Sequence, residues 1–463
     1  MSETEIRRVF VANRGEIAVR IVRACKALGL ESVVGFSAAD RDSLAVRMAD
    51  RAVCLGPAPS SASYLKVDTL ITAALGTGCQ AVHPGYGFLS ERSQFARACV
   101  DAGLTFIGPT AEAIDRMGDK INAIAEAKRV GVPVVPGKER LESVAELVEA
   151  ANEMGYPCLL KATAGGGGRG MRVVRSASEA ASAFSSAQAE ALSAFGNGTL
   201  YLEKYIEEAR HIEIQVLADH HGNVCHLYER DCSVQRRHQK LIEESPSPAL
   251  DAKTRAEMAQ AALALAKSVG YRNAGTIEFV YDVHAKRFYF LEMNTRVQVE
   301  HPVTEAVTGI DIVREQILIA MGRPLSFTQG DVRLQGHAIE CRINAEDAWK
   351  DFRPSPGTVT RWQPPADDGV RLDTHVFEGY RVPPYYDSMV AKAIAHAPNR
   401  EAAIEKMTAF LRGFRVAGIA TTIPFQLKVI GHPRFADGTV TTTWVERQLM
   451  PELGQQPTPD SHT

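Results

Sequence analysis

No stretch of this chain approaches the ~20 apolar residues that a membrane-spanning helix needs, and the N-terminal MSETEIRRVFVANRGE carries no apolar signal core. A membrane role is therefore not expected. The formal net charge of −3 over 463 residues gives no global attraction for nucleic acid or anionic lipid, so any anion must be held locally. The eight cysteines (25, 54, 79, 99, 158, 225, 232 and 341) form no CxxC pair and no disulfide-like framework. Most sit in apolar runs, as reduced core thiols do, and a cytoplasmic protein is expected. There is no internal repeat. No GxGxxG follows the first apolar run, which excludes the dinucleotide-binding form of an α/β sheet, and the later glycine run lacks the GK[ST] ending of a Walker loop.

What is present is ordinary globular composition, 45% hydrophobic and 23% charged, on a chain long enough for several cores. Residues 6–13 (IRRVFVAN) predict a buried strand, and Ile17, Ile21, Ala24 and Leu28 recur at helical spacing behind it. Gly29 stops that helix. Further strands at 32–37, 80–83 and 104–107 alternate with helices near 67–75 and 95–100, which implies a parallel sheet covered on both faces. HPGYGFLSE (83–91) is either a ligand loop at a strand end or a plain turn.

A second unit is expected from MGDK (117–120), with a helix to 130 and a hinge at the prolines of VPVVPG (132–137). It continues with a helix over 143–154, strands at 156–162 and 171–174, a helix over 178–195, and strands at 201–206 and 211–218. Gly165, Gly167 and Gly170 satisfy GxGxxG, but MRVVR follows them, so the loop joins two strands. Either it is a flap whose backbone N–H groups close over phosphates, with Lys161 beside it, or it is a flexible structural loop.

A third unit begins near 331. It has a strand carrying Glu340, Arg342 and Asn344, short β runs, PPYYD (383–387) and an amphipathic helix at 400–412, an α+β pattern. The last dozen residues are polar.

The densest chemistry lies in EMNTRVQVEHP (292–302). GTIEFVYD and RFYFLEMN read as a hairpin. If Tyr281 pairs with Tyr289, Glu278 stands opposite Glu292, with Asn294 on the same face. Facing carboxylates repel unless a cation lies between them, and these oxygen ligands suit Mg²⁺ or Mn²⁺; the alternative is two solvated glutamates. In extended chain Arg296, Gln298 and Glu300 would share a face, suiting a small planar oxyanion with a base beside it. The basic QRRHQK (235–240) by itself reads as a solvated charge run, and Cys232 as a packed thiol.

These segments together resemble biotin carboxylase, an ATP-grasp enzyme, over residues 4–450. The resemblance rests on ANRGEIA (12–18), HPGYGFLSE, MGDK, KATAGGGGRGM (161–171), EKY (203–205), RHIEIQ (210–215), ERDCSVQRRHQK (229–240), EMNTRVQVEHPVTE (292–305), ECRINAED (340–347) and PPYYDSM (383–389). It implies a Rossmann-like α/β domain over 1–116 and an ATP-grasp domain over 117–330 with a mobile lid at about 133–205. An α+β C-terminal domain over 331–450 and a polar tail over 451–463 complete the expected plan.

By the same resemblance, Lys120 and Lys161 would hold the ATP phosphates beneath Gly167 and Gly168. Glu203, Lys204, Tyr205 and Ile206 would line the adenine, and His211, Gln235 and His238 would meet the nucleotide and its ribose. Glu278, Glu292 and Asn294 match Mg²⁺ ligands. Lys240, Arg296, Gln298 and the Val299 backbone match a bicarbonate site, Glu300 its base, and Arg342 the group facing biotin. The implied reaction is ATP-driven carboxylation of biotin through carboxyphosphate, in an acyl-CoA carboxylase.

The turn at 283–286 and a slightly lengthened AWKDFR (348–353) depart from the family pattern. No AMKM-like biotin attachment sequence occurs, so either a separate biotin carboxyl carrier protein is expected or the chain is one piece of a longer protein, with carboxyltransferase subunits as further partners and a homodimer as the assembly. Competing possibilities are the same subunit in another biotin-dependent carboxylase such as pyruvate carboxylase, a different ATP-grasp ligase, or an inactive scaffold subunit. The last would have lost Lys240, Glu292 or Glu300, and all are present.

Overall fold

The structure is a computed structural model that describes residues 5–163, 170–366 and 369–454. Its N-terminal sheet is wholly parallel. Strand Arg8–Val11 lies at the centre, flanked by Glu31–Ser37 and then Arg51–Gly56 on one side, and by Ala81–His83 and then Thr105–Phe106 on the other. The edge strand Arg51–Gly56 is absent from the sequence expectation because most of its side chains are exposed and it lacks a clean alternation. Strand order reverses at Arg8–Val11, and such a switch point opens a crevice at the strand C-termini. The segments after Val11 and His83 meet there: the Asn13 side-chain amide donates to the carbonyls of Pro84 and Tyr86, each at 2.7 Å. Gly85 has φ +63°, and a Cβ there would stand 2.9 Å from Asn13 Nδ2, so only glycine lets the two segments close up.

Strands Gly137–Leu141, Leu200–Lys204, Cys158–Ala162 and Arg172–Val174 make a separate antiparallel sheet in that order. Helices Val144–Met154 and Ala180–Phe195 cover it, and Leu147, Leu160, Val174, Phe184 and Leu202 form its own small core. Cys158–Ala162 and Arg172–Val174 pair as the arms of a hairpin, so the glycine run does join two strands. Gly167 and Gly168 themselves lie outside the described residues.

The largest sheet has eight antiparallel strands, in the order Arg287–Asn294, Asn273–Asp282, Ala209–Ala218, Val224–Arg236, Gln239–Ser245, His337–Asn344, Met389–Ala397 and Val370–Thr374. It runs across the boundary expected near 331, because strand His337–Asn344 pairs with Gln239–Ser245 (Ile242 beside Cys341). Its burial on both faces makes it an internal strand. The basic run QRRHQK is a tight hairpin tip. Gln235 pairs with Lys240 and Arg236 with Gln239, while Arg237 and His238 turn the chain at φ +48° and +62°.

Glu244 ties the sheet to the C-terminal elements. Its buried carboxylate accepts from His337 Nε2 at 2.8 Å and from Arg400 Nε at 2.6 Å, the latter at the start of helix Arg400–Gly413. Burial raises this carboxyl's pKa, but His337 and Arg400 outweigh it and hold the value down at about 2. A depressed carboxyl stabilises the fold above its unfolded pKa, and that contribution fades as pH falls from there towards the folded value. Glu244→Gln is therefore expected to cost about 3–5 kcal/mol near neutral pH. The gap to wild type should narrow as the pH falls from about 4.5 towards 2, as melting temperatures across that window would reveal.

Candidate functional site

The parallel sheet's crevice and one face of the eight-stranded sheet border a single cleft of about 840 Å³. Glu278, Glu292, Asn294, Arg296, Gln298, Val299, Glu300, Arg342 and Lys240 all line it. Gln235, His238 and His211 line it as well.

Glu278 does face Glu292, although the register that suggested it differs. Tyr289 pairs with Val280 and Phe288 with Tyr281, one residue away from the expected Tyr281–Tyr289 pairing. A β-bulge between Glu278 and Phe279 absorbs Leu291 and shifts the ladder, so that Glu278 meets Glu292 and Thr276 meets Asn294. Without that extra residue the two carboxylates would fall out of register. Arg296, Gln298 and Glu300 do not continue the strand, contrary to expectation. The strand ends at Asn294, residues 295–300 are irregular, and Glu300 stands at the N-cap of helix His301–Thr308. Loop backbone lets all three side chains reach the cleft without alternation.

The centre of the cleft is a lysine surrounded by carboxylates. Lys240 Nζ donates to Glu300 at 2.5 Å, Glu213 at 2.6 Å and Glu278 at 3.1 Å. Burial alone would discharge the ammonium, but Cys232 and these carboxylates push its pKa well above the ordinary lysine value. Burial likewise raises Glu300, yet Lys240, with Arg342 and Arg230, holds it at about 2, so it is ionised at neutral pH. Arg342 donates to Glu243 at 2.5 Å and to Glu300 at 3.1 Å. Arg296 donates to Glu91 at 2.8 Å and to Asn294 Oδ1 at 2.7 Å.

Several of these partners were not foreseen. Fully buried Arg230 donates to Glu213, Gln215, Thr276, Gln298 and Thr304, and so orients Gln298, whose amide in turn donates to Glu278 at 2.8 Å. The available signal was charge at inward positions of apolar strands, as in HIEIQVLA and ERDCS.

Lys120 and Lys161 converge on Tyr201, the first from the start of helix Lys120–Arg129 and the second from strand Cys158–Ala162. Lys120 Nζ is 3.3 Å from the Tyr201 hydroxyl, and the two ammonium groups lie 5.8 and 5.9 Å from its ring centre. Lys161 pairs with the Glu203 carboxylate, so that side chain faces the lysine. Lys204 turns to the Gly155 and Tyr156 carbonyls, at 2.8 and 3.2 Å. The Tyr205 hydroxyl accepts from Arg447 at 3.0 Å, and Ile206 follows it, half-buried. His211 lies 3.2 Å from Glu278 and 3.6 Å from Glu213, among the carboxylates. Despite burial, Glu278 and its neighbours raise its pKa to about 9. The segment at 348–353 braces the hairpin tip: Asp351 pairs with Arg236 and Arg237, and Phe352 lies under Arg236, 4.3 Å away.

The donor set suits a divalent cation. The Glu292 side chain opens on the cleft and makes no hydrogen bond among the described residues; partial desolvation by the cleft walls and then Glu278 facing it raise its pKa. Asn294 Nδ2 is buried without a partner. Opposed carboxylate oxygens beside an amide are hard ligands of the kind Mg²⁺ and Mn²⁺ take. Other close clusters among the described residues are His211, Glu213 and Glu278, and Glu213, Cys232 and Glu300, but Lys240 already neutralises both.

Family models match most of the chain in three consecutive pieces. Residues 5–114 match the biotin carboxylase N-terminal domain, 119–328 the ATP-binding domain of the carbamoyl-phosphate synthase L chain, and 340–447 the biotin carboxylase C-terminal domain. Biotin carboxylase 1 of Bacillus subtilis is 54% identical over 95% of this chain and 98% of its own. The Haemophilus influenzae biotin carboxylase is 50% identical over 96% and 99%. Among solved structures, the Campylobacter jejuni biotin carboxylase–β,γ-ATP complex superposes with a TM-score of 0.89 at 48% identity, covering 96% and 99% of the two chains. The biotin carboxylase domain dimer of Hydrogenobacter thermophilus 2-oxoglutarate carboxylase, in complex with MgADP, ADP and bicarbonate, gives 0.89 at 46% identity over 98% and 100%.

Proposed function

The chain belongs to the biotin carboxylase family, and on that premise we propose which of its residues perform the ATP- and bicarbonate-dependent carboxylation of biotin. It is an ATP-grasp ligase, and the reaction is the first half-reaction of biotin-dependent carboxylases. The observation that carries the residue roles is the convergence of Lys240, Arg296, Arg342 and Glu300 beside the opposed Glu278 and Glu292.

Lys120 and Lys161 hold the nucleotide phosphates. Glu203, Lys204, Tyr205 and Ile206 border the base, the lysine through its backbone. Gln235 and His238 meet the nucleotide from the hairpin tip, and His211 holds Glu278 from behind. Glu278, Glu292 and Asn294 would hold Mg²⁺ or Mn²⁺, which when bound supplies charge neutralisation on the transferred phosphoryl group. Bicarbonate sits against Lys240, Arg296, Gln298 and the Val299 backbone, where its charge draws Lys240 and Arg342 off Glu300. That raises the proton affinity of Glu300, which then takes the bicarbonate proton as oxygen attacks the γ-phosphorus and ADP leaves. Carboxyphosphate breaks down to CO₂ and phosphate, the phosphate accepts the ureido proton of biotin, and the enolate attacks CO₂. Arg342 and Arg296 stabilise that enolate. The small sheet over 137–204 acts as the lid that keeps water from carboxyphosphate.

Biotin arrives on a carrier protein, the acceptor is an acyl-CoA chosen by carboxyltransferase subunits, and the chain works as a homodimer. Among the described residues no helix is long and apolar enough to cross a membrane. The decisive experiment is ADP release by the purified protein with bicarbonate and biotin each omitted in turn. Release that needs both supports the assignment; release driven by ammonia or an amino acid replaces it with another ATP-grasp ligation. Recovery of a biotinylated carrier with the native protein would test the partner and lead to the acceptor.

A further inference from the structure

Lys392 is a fully buried ammonium that the roles above leave unused. It sits on strand Met389–Ala397 directly beside Arg342 in the ladder. Its Nζ lies 3.0 Å from Glu16 Oε1 and donates to the Val299 carbonyl at 2.7 Å. Glu16 opens helix Gly15–Ala27 and also accepts from the hydroxyl of Tyr86, which lines the cleft. A buried ammonium is costly unless paired, and this one spends a donor on a single loop carbonyl.

The neighbouring carbonyl is held as well. His301 Nδ1 stands 2.8 Å from the Gln298 carbonyl, while Nε2 is buried without a partner. Burial, reinforced by Lys392 and nearby arginines, keeps this imidazole neutral, so Nδ1 carries the proton and donates. In a trans peptide the N–H points opposite to its carbonyl. Anchoring the Gln298 and Val299 carbonyls therefore turns the next two N–H groups, of Val299 and Glu300, the other way. Both residues line the cleft, and neither N–H meets a backbone acceptor among the described residues. Two successive free amides of this kind form a small anion-binding concavity.

We propose that Lys392, with His301, is a positioning residue for bicarbonate: it clamps the 298–299 peptides so that the Val299 and Glu300 amides face the anion. Through Glu16 and Tyr86 the clamp also ties the N-terminal domain to the anion loop. The inference rests on the assignment of this loop to bicarbonate.

The test is steady-state kinetics on Lys392→Met paired with Glu16→Gln, so that no carboxylate is left buried and unpaired. KM for bicarbonate should rise about tenfold or more, with KM for ATP unchanged within about twofold. Should that double variant fail to fold, His301→Ala is expected to raise KM for bicarbonate in the same direction. His301→Asn, which restores a donor near Nδ1, should recover most of it. A lower melting temperature with unchanged KM for bicarbonate overturns the clamp and leaves Lys392 a structural ion pair. If wild type itself shows no bicarbonate dependence, the functional assignment and the clamp fall together, an outcome distinct from a failure of the variants alone.

Discussion

Glu300→Gln is expected to leave nucleotide affinity nearly intact while biotin carboxylation falls by about 10²–10⁴-fold, the range a positioned general base supplies. Lys240 Nζ and Arg342 contact different oxygens of Glu300, at 2.5 and 3.1 Å, so glutamine keeps the size of the side chain and an acceptor for one of them. What it loses is the capacity to accept a proton. The proposed nucleotide contacts do not include Glu300, so a nucleotide titration should separate binding from turnover. Carboxylation near the wild-type rate would remove Glu300 from the base role.

Lys240→Met is expected to be more severe, because the ammonium offsets Glu213, Glu278 and Glu300 and is also a proposed bicarbonate contact. Turnover should fall by about 10³-fold or more, the scale on which charge-stabilising groups contribute. Breaking a buried ionic cluster should also cost about 3–5 kcal/mol of stability near neutral pH. The pH dependence carries the sign. In wild type the Glu300 carboxyl sits at about 2, so its contribution is present above the unfolded carboxyl value and fades as pH falls towards 2. Without Lys240 that carboxyl rises, and the stability difference should shrink as the solution is acidified. A variant equally destabilised at every pH, or one with unchanged KM for bicarbonate, would show that the site is not organised around this lysine.

Much of the fold was legible in local pattern. Alternating apolar runs and helical spacing over 6–107 placed the parallel sheet, and β sequence after the glycine run identified a hairpin instead of a phosphate-binding helix start. The exposed edge strand Arg51–Gly56 escaped because an edge need not alternate. The boundary near 331 was read from a change of pattern along the chain. Yet strand pairing is non-local, and His337–Asn344 simply extends the sheet begun by the preceding unit. At the site, Glu278 opposite Glu292 was reached through the wrong local register, since a one-residue bulge leaves no compositional mark.

The sequence by itself determined which chemical groups are available: carboxylate and amide oxygens at Glu278, Glu292 and Asn294, cations at Lys240, Arg296 and Arg342, and a further carboxylate at Glu300. It also determined the family, since so many separate motifs occur in one order. Only the tertiary structure decided who neutralises whom. Lys240 sits among carboxylates from two strands and a helix cap, Arg230 orients Gln298, and Lys392 reaches the Val299 carbonyl from the C-terminal strands. The physical reason is range. Propensity and periodicity act between near neighbours in sequence, whereas a buried charge is set by whichever distant groups the fold brings within hydrogen-bond reach.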